Sequence, residues 1–418
     1  MQDSIGRFML RLAPMIYGPT LLFAIGEGVV IPLFPTMAAR LGADLATSAL
    51  VASCLLIGQL CGNLPSSWVV ARLGERAAMV IAGSLSLLGA FGMLYAPNVL
   101  VLALSIFILG MCAAAFGLAR HSFMTSRVPF AFRARALSLL GGTFRLGMFI
   151  GPFLGALLLG LTGNEASALW CLVICLVLCV VLVWFGPDPE REYARRIDGM
   201  PASSGEPQER DGILRTMVKY RAVLSRLGLA AASLAAIRSA RNVVLPLWGV
   251  SLALDAQTIS LIVGIAGALD FALFYASGQI MDRFGRLAAV TPAMILMGLG
   301  FGTLAFTHDF PGAEIWFVVL AAVIGVGNGL SSGILLTLGA DVAPRDNPAP
   351  FLGSWRTLTD GGGATGTLGF SAVAAIAPLG VATGFMGIIG LLGAVGFLYW
   401  VPKYAGKRET TVEPSPAE

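Results

Sequence analysis

The chain has 418 residues, of which 57% are hydrophobic and 12% charged, and its mean hydropathy is +0.83. Water-soluble domains are far less apolar, so this composition excludes an ordinary soluble protein and predicts one that crosses a membrane repeatedly. The net charge of +4 reflects where the arginines lie relative to the membrane, and no nucleic-acid partner is expected.

Stretches of about 20 or more mostly apolar residues follow one another along the chain, and each is long enough to cross a bilayer as a helix. We number them spans 1 to 12. The expected fold class is therefore an all-α polytopic membrane protein with twelve transmembrane helices. The spans are expected at residues 14–39, 46–70, 77–96, 99–119, 136–161, 166–186, 226–252, 257–281, 287–307, 312–340, 351–377 and 379–401.

One long polar segment, residues 187–225, separates spans 6 and 7 and divides the chain into an N-terminal half, 1–186, and a C-terminal half, 226–418. Its first part is rich in Pro, Ser, Glu and Arg and predicts a cytoplasmic linker. Apolar residues then recur at helical spacing opposite basic ones, which predicts an amphipathic helix on the membrane surface or, alternatively, an ordinary solvated helix. The apolar residues are Ile213, Met217, Tyr220, Leu224 and Leu227, and the basic ones are Arg215, Lys219 and Arg226.

Lys and Arg outside the spans concentrate on one side of the membrane, with Arg40 on the other side. This bias predicts that both termini are cytoplasmic. The first apolar run is too long for a signal peptide and lacks a small-residue cleavage site, so span 1 is expected to insert by itself. The preference for Arg over Lys favours a bacterial source, and hence the plasma membrane of a bacterium.

The two halves repeat each other. Three blocks match at nearly constant offsets, as a duplicated half with small insertions would produce. An offset of 215 residues matches Gly110, Gly147 and Gly151 to Gly325, Gly362 and Gly366. An offset of 214 residues matches 30–34 to 244–248, and one of 211 residues matches 71–75 to 282–286.

Residues 278–287 form the most specific motif, a charged, glycine-turned loop between spans 8 and 9. The positions that define it are Gly278, Asp282, Arg283, Gly285 and Arg286. The matching loop after span 2 carries Ala71 in place of the aspartate. Span 5 carries a second pattern, Gly147-x-x-x-Gly151-Pro152-x-x-Gly155, which predicts a smooth face for close helix contact, with packing alone as the alternative to a gating role.

These motifs resemble those of the major facilitator superfamily, and the resemblance covers essentially the whole chain. The loop is similar to that family's signature after helix 8, and the span 5 pattern is similar to that of its twelve-helix drug:proton antiporters. Glu27 and the following Pro32-Leu33-Phe34-Pro35 resemble the first helix of the same exporters. The resemblance implies two pseudo-symmetric six-helix bundles, proton coupling and a gating role for the loop. The chain departs from it at Ala71, and at Ile106 where those exporters carry an arginine.

Seven ionisable residues lie within or near the ends of spans, where each costs at least ~2.5 kcal/mol at a helix centre unless it faces a polar cavity or a partner. They are Glu27, Arg145, Arg238, Arg241, Asp270, Arg356 and Asp360. We expect them to line a central cavity for protons or substrate. Fixed salt bridges between helices are the alternative, and for Arg356 so is extension to the membrane surface.

The repeat places Glu27 opposite Arg241 and Arg145 opposite Asp360. Opposite charges across a cavity could neutralise each other when it closes and separate when a proton or substrate enters. The sequence therefore predicts two such pairs.

Three classes of function compete. Proton-coupled efflux of drugs or other lipophilic molecules by alternating access is favoured. Export or import of a defined metabolite, including an anionic one such as a siderophore, sugar or lipid, is the alternative. A membrane enzyme or receptor has little support, because the chain lacks a nucleotide-binding phosphate loop and its two histidines, His121 and His308, are far apart.

The expected partners are a small-molecule substrate, protons and the lipid bilayer. A monomer is expected, with no cofactor and no metal site. The six cysteines all lie in apolar spans that lack the polar shell of a metal site.

Overall fold

The computed structural model of the chain describes residues 13–127, 130–186, 217–344 and 348–405, which are helical throughout apart from short turns. The helices of the N-terminal half are α1 Gly18–Val30, α2 Phe34–Arg40, α3 Leu45–Leu94, α4 Val99–Arg127, α5 Phe130–Thr162 and α6 Glu165–Phe185. Those of the C-terminal half are α7 Leu229–Ser251, α8 Ala256–Phe284, α9 Arg286–Leu304, α10 Ala313–Leu330, α11 Ile334–Val342, α12 Pro348–Ile376 and α13 Leu379–Tyr404.

Ten helical stretches of the described chain are long and apolar enough to cross a membrane. One of them, the 50-residue α3, is two helices joined at Gly74, whose φ of +82° breaks the helix, and it contains spans 2 and 3. The 29-residue α12 is span 11; it is less apolar because it carries Arg356 and Asp360. The predicted all-α fold is confirmed, with twelve crossing segments.

Two spans are interrupted where the sequence predicts continuous helices. In span 1 a short 3₁₀ turn at Ile31–Leu33, containing Pro32, separates α1 from α2. In span 10, α10 ends before Ser331, and α11 begins after Gly333, whose φ is +77°. Breaks inside a membrane free backbone carbonyls, which are tolerated where they are buried in protein or line a cavity.

Aspartates begin corresponding helices in the two halves. Thr47 N donates to Asp44 Oδ1 over 2.8 Å at the start of α3, and Gln257 N donates to Asp255 Oδ2 over 3.0 Å at the start of α8. Hydrogen bonds from Thr47 hold the pKa of Asp44 below 3.8, and those led by the Thr258 hydroxyl do the same for Asp255. Both aspartates lie in turns outside the spans, and each satisfies amide groups that the first helical turn leaves unpaired.

The two halves pack alike. In the N-terminal half α1 packs on α5 and α3 on α4, and in the C-terminal half α7 packs on α12 and α8 on α10. The halves meet through α5 against α8 and α3 against α12. Each of these pairs has a counterpart in the other half, so the helices reproduce the repeat seen in the sequence.

The bundle has two unlike ends. At the end that holds the turns 41–44 and 252–255, α2 contacts α7, and the Ser53 and Ser371 hydroxyls lie 2.9 Å apart, joining α3 to α12. We call it the closed end. The opposite end, which holds Gly74 and Gly285, is called the loop end.

Most of the predicted linker lies outside the described residues, so its surface helix stays a prediction. The described part, 217–225, continues towards α7, and the Tyr220 ring packs edge-on against Phe351 with centroids 5.3 Å apart.

Candidate functional site

A cavity of about 670 Å³ lies between the halves. Its walls come from α1, α3, α4 and α5 on one side and α7, α8, α10 and α12 on the other. All seven ionisable residues predicted from the sequence line this one cavity: Glu27, Arg145, Arg238, Arg241, Asp270, Arg356 and Asp360. Their functional roles are taken up below as proposals.

Exposure of the acidic side chains increases from the middle of the cavity towards the loop end. Glu27 is 3% exposed, and the side chain of Asp270 is 14% exposed. Asp360, nearer the loop end of α12, has 44% of its side chain exposed. The cavity therefore opens at the loop end and is sealed at the closed end.

Asp270 on α8 is the centre of the charged groups in the C-terminal half. Arg145 Nη1 on α5 lies 2.9 Å from Asp270 Oδ1, and Asn328 Nδ2 donates to Asp270 Oδ2 over 2.7 Å. Arg241 Nη2 is more distant, at 3.9 Å from Oδ2. The Arg145 guanidinium also lies 4.9 Å from the centroid of the Phe274 ring. The Arg145–Asp270 ion pair therefore links the two halves at the level of the cavity.

Arg238 and Arg241 lie one turn apart on α7 and have weaker partners. Arg238 Nη1 donates to the Ser331 carbonyl over 3.4 Å, at the break between α10 and α11. Arg241 Nη1 is buried without a hydrogen-bond partner among the described residues. The break in span 10 thus supplies a carbonyl to the cavity, but the two arginines have no carboxylate of their own.

Glu27 on α1 faces Arg120 on α4, and the two side chains interact electrostatically. Glu27 Oε1 and Arg120 Nη1 are both buried and have no hydrogen-bond partner in the part of the chain that the structure describes. Arg120 is positioned by a 3.2 Å hydrogen bond from Nε to the Phe116 carbonyl and by the Phe116 ring, 4.9 Å from its guanidinium. The two side chains thus interact electrostatically, while Glu27 Oε1 and Arg120 Nη1 remain without hydrogen-bond partners among the described residues.

Neither of the two predicted charge pairs across the cavity is present. Arg145 contacts Asp270 instead of Asp360, and Asp360 lies 3.5 Å from Arg356 of its own helix. Arg241 lies 3.9 Å from Asp270, and Glu27 interacts electrostatically with Arg120. A repeat relates positions along the bundle, but it does not tell which way a side chain points around its helix.

Arg120 is the main functional candidate that the sequence reasoning missed. Span 4 was predicted to end at residue 119, which placed Arg120 with the cytoplasmic arginines, whereas α4 continues to Arg127. Ala113 and Gly117 line the cavity on the same face of α4. Small residues three and seven positions before the arginine, on the same helix face, were the signal that could have identified it.

The glycines of span 5 form the predicted close contact. A Cβ on Gly147 would lie 2.5 Å from the Ala24 Cβ, and one on Gly151 would lie 2.6 Å from the Gly28 Cα. A Cβ on Gly155 would lie 3.2 Å from the Val29 carbonyl oxygen. Pro152 lies beside Gly28, so this face of α5 fits against α1 with almost no space between the two backbones.

The motif between spans 8 and 9 forms a tight turn at the loop end. Gly285 has a φ of +87° and separates α8 from α9. Arg286 reaches Asp341 on α11 with two hydrogen bonds, from Nε over 2.8 Å and from Nη2 over 3.4 Å. The contact between Asp282 Oδ1 and Arg286 Nη1 is longer, at 3.8 Å, and the Asp282 side chain is 84% exposed. Arg283 is exposed, and a Cβ on Gly278 would touch nothing.

The sequence model of the Major Facilitator Superfamily matches residues 19–367. This chain belongs to that superfamily. Its members are transporters rather than enzymes, so the protein is a multi-pass membrane transporter. The resemblance suggested by the loop and by span 5 is confirmed over most of the chain.

Relatives within the superfamily are named for different transport activities. The galactose-proton symporter of Escherichia coli K12 is 23% identical over 348 residues, which cover 76% of this chain and 74% of the relative. The multidrug efflux pump Tap of Mycobacterium tuberculosis H37Rv is 27% identical over 334 residues, covering 75% of each chain. Membership is therefore shared with both a symporter and an efflux pump.

Solved structures of superfamily transporters share the fold. A POT family transporter in complex with a thioalcohol-conjugated peptide gives a TM-score of 0.74 at 13% identity, covering 95% of this chain and 96% of the other. The inward open form of the xylose transporter XylE from Escherichia coli gives 0.70 at 15% identity, with coverages of 95% and 96%. At this identity the comparison establishes the fold alone.

Proposed function

We propose that the protein is a proton-coupled secondary transporter that exports lipophilic small molecules, with Glu27 as its proton-binding residue. The observation that carries the proposal is the buried Glu27 carboxylate, whose Oε1 has no hydrogen-bond partner within the described chain. A buried carboxylate that is not hydrogen-bonded gains most from binding a proton. Glu27 also lines the cavity, so a proton can reach it from the same chamber as a substrate.

Asp270 is a weaker candidate for this role because its charge is already satisfied. One oxygen accepts from Arg145 and the other from Asn328. Protonating Asp270 would forfeit those contacts and leave nearby arginines unpaired. Asp270 therefore serves to hold the two halves together, whereas Glu27 exchanges its proton.

Arg120 supplies the means of coupling. When it faces Glu27, it stabilises the carboxylate, and when a substrate draws the guanidinium away, the carboxylate accepts a proton more readily. The two states differ by the position of one side chain. Proton binding and substrate binding are then linked, as secondary transport requires.

Export of lipophilic molecules is supported by the cavity wall and by one relative. Phe23, Phe144, Phe149 and Phe271 line the chamber, and the Phe149 and Phe271 rings stack with centroids 5.6 Å apart across the two halves. The Mycobacterium tuberculosis relative is named a multidrug efflux pump. The second candidate, uptake of a polar metabolite with protons, is supported by the galactose-proton symporter relative.

The test uses cells with and without the protein, loaded with the cationic dye ethidium, an anionic naphthalenesulfonate dye or neutral Nile red. We expect lower steady-state accumulation of at least one dye, and we expect a protonophore to abolish the difference. Glu27→Gln should then lose uphill efflux of that dye at least tenfold while keeping dye exchange without a proton gradient, because Gln fits the site but cannot release a proton.

Glu27→Asp is the matched control, because it keeps a titrating group and should retain part of the coupling. Equal membrane levels of the three forms exclude an effect of expression. Undiminished uphill efflux by Glu27→Gln would remove Glu27 as the proton carrier. Higher rather than lower dye accumulation would favour uptake over export.

A further inference from the structure

The cavity carries more positive than negative charge. Five arginines line it, Arg120, Arg145, Arg238, Arg241 and Arg356, against the three acids Glu27, Asp270 and Asp360. Uncompensated charge in a chamber with low-dielectric walls is expensive. The excess of two arginines in the cavity therefore favours a counter-charge from outside the protein during part of the transport cycle.

The local contacts show which arginines make up the excess. Arg356 has Asp360, Arg120 faces Glu27, and Arg145 has the short contact to Asp270. These assignments use all three acids. The remaining pair, Arg238 and Arg241, lies one turn apart on α7, and both residues line the same chamber. Arg241 has only a long contact of 3.9 Å to Asp270, which is already bonded to Arg145.

Hydrogen-bond donors near this pair remain available. Arg241 Nη1 is buried without a partner among the described residues, and the bond from Arg238 to the Ser331 carbonyl is long at 3.4 Å. Ser239 and Asn242, on the same stretch of α7, also line the cavity. Guanidinium groups in this arrangement suit the oxygens of a carboxylate, sulfonate or phosphate.

Another part of the same cavity wall is apolar. Phe149 and Phe271 stack at 5.6 Å, Phe149 also meets Phe153 edge-on at 5.5 Å, and Val263 lies on the same helix as Phe271. Phe149, Phe271 and Val263 line the cavity together with the two arginines. An occupant that satisfies both surfaces has an anionic group at one end and an aromatic or aliphatic body at the other.

We propose that the substrates of this transporter are amphiphilic organic anions whose acidic group binds between Arg238 and Arg241. This rests on the proposed function and sharpens it, since it assigns a charge to the lipophilic cargo. The arginine pair recognises the acidic group, and the phenylalanine wall accepts the apolar body. A cation of the same shape is repelled by the same two residues.

The test compares three probes with one naphthalene body and different charges: 2-naphthalenesulfonate, 2-naphthylmethanol and 2-naphthylmethylammonium. Binding is measured by equilibrium dialysis on the full-length protein in an uncharged maltoside detergent. We expect the sulfonate to bind at least tenfold more tightly than the alcohol, because hydrogen bonds between charged groups are stronger than those to a neutral hydroxyl. The ammonium compound should bind most weakly.

Arg241→Gln and Arg238→Gln should each lower the affinity for the sulfonate about tenfold and leave that for the alcohol within about twofold. Arg241→Lys keeps the charge and should retain part of the preference if the glutamine variant fails to fold. Arg40→Gln removes an arginine at the closed end, where Arg40 pairs with Glu165 over 2.9 Å, and should change nothing.

Equal affinity for the three probes, no saturable binding of the sulfonate, or a preference that survives both glutamine variants would overturn the proposal. Its failure is distinguishable from failure of the proposed function, since binding in detergent needs no proton gradient. A preference for the anion without proton-driven efflux would leave the binding site standing and remove the proton coupling. Proton-driven efflux with no preference for the anion would leave the proton coupling standing and remove the anion-binding site.

Discussion

The two halves place a carboxylate in the cavity in opposite ways. In the N-terminal half Glu27 is buried, faces Arg120 and leaves one oxygen without a hydrogen bond. In the C-terminal half Asp270 is bonded on both oxygens, by Arg145 from the other half and by Asn328 from α10. In the proposed function the first carboxylate exchanges its proton, whereas both oxygens of the second are occupied by hydrogen-bond donors.

This difference arises from the residues that surround Glu27 and Asp270 rather than from the two acids themselves. Both halves have the same helix packing and both acids lie in the same cavity. An amide and an arginine form hydrogen bonds to Asp270 and satisfy its charge, whereas Glu27 interacts with Arg120 only electrostatically and its Oε1 has no hydrogen-bond partner among the described residues. In a duplicated protein, symmetry of the backbone therefore does not impose symmetry of function.

The largest expected effect comes from removing the satisfied carboxylate. Asp270→Ala leaves Arg145 and Arg241 without the acid that both contact, and we expect a loss of about 3–5 kcal/mol in the free energy of unfolding. Glu27→Ala should cost less, because Oε1 has no hydrogen bond to lose. Thermal denaturation of the purified variants in detergent measures the difference.

A double-mutant cycle sharpens this result. Arg145→Ala combined with Asp270→Ala should destabilise the protein by about 0.5–3 kcal/mol less than the sum of the single changes. Arg145→Ala combined with Asp360→Ala is the control, and its effects should add, since those side chains do not pair. Coupling in the control but not in the first cycle would restore the pairing that the repeat predicted.

An intermediate effect on stability is expected at the loop end, where the two halves have the same backbone turn but different charged side chains beside it. Gly74 and Gly285 have φ values of +82° and +87°. Arg286 then bonds to Asp341 in the C-terminal half, whereas in the N-terminal half Glu75 accepts a hydrogen bond from Ser122 over 3.1 Å. Asp341→Asn should lower the free energy of unfolding by about 1–2 kcal/mol. Asp282→Asn, at an exposed position, should cost under about 1 kcal/mol.

Turnover separates structural and gating roles for this loop. If the motif sets the balance between open and closed forms, Asp341→Asn should slow dye efflux and leave dye binding unchanged. Asp282 belongs to the loop motif of the superfamily, but Asp282→Asn should then slow dye efflux less than Asp341→Asn. The reverse order, with Asp282→Asn the more damaging, would contradict the geometry of Arg286.

The smallest effect on stability is expected at Asp44 and Asp255, which cap corresponding helices in the two halves. Their pKa values are lowered in the folded protein, so their stabilising contribution is complete above about pH 3.8 and is lost as the pH falls through the lowered values. Asn caps a helix without titrating. The variant with both Asp44→Asn and Asp255→Asn should therefore lose less of its Tm than the parent between about pH 5 and pH 3. Parallel pH profiles for the two proteins would show that other groups control acid stability.

Sequence reasoning recovered the fold because span length and apolar composition dictate helices in a membrane. It also found every acid in the cavity, since charges at membrane depth are costly and stand out. It missed Asn328, a neutral residue that carries no such signal, and it misplaced Arg120, because the apolar run of span 4 ends before the helix does. It paired Arg145 with Asp360 because a repeat conveys depth along the bundle but not the direction of a side chain.

The tight contact between α1 and α5, where Gly28 meets Gly151, has a mechanical consequence. Two helices whose backbones touch cannot slide or rotate past each other without a clash, so Glu27 on α1 and Arg145 on α5 move as one body. Alternating access in this superfamily is largely a rocking of the halves. The distance that must change in each cycle is then the one from Arg145 to Asp270, so we expect this ion pair to open and close as the halves rock, whereas Glu27 and Arg120 lie within the same half and keep their relative backbone positions.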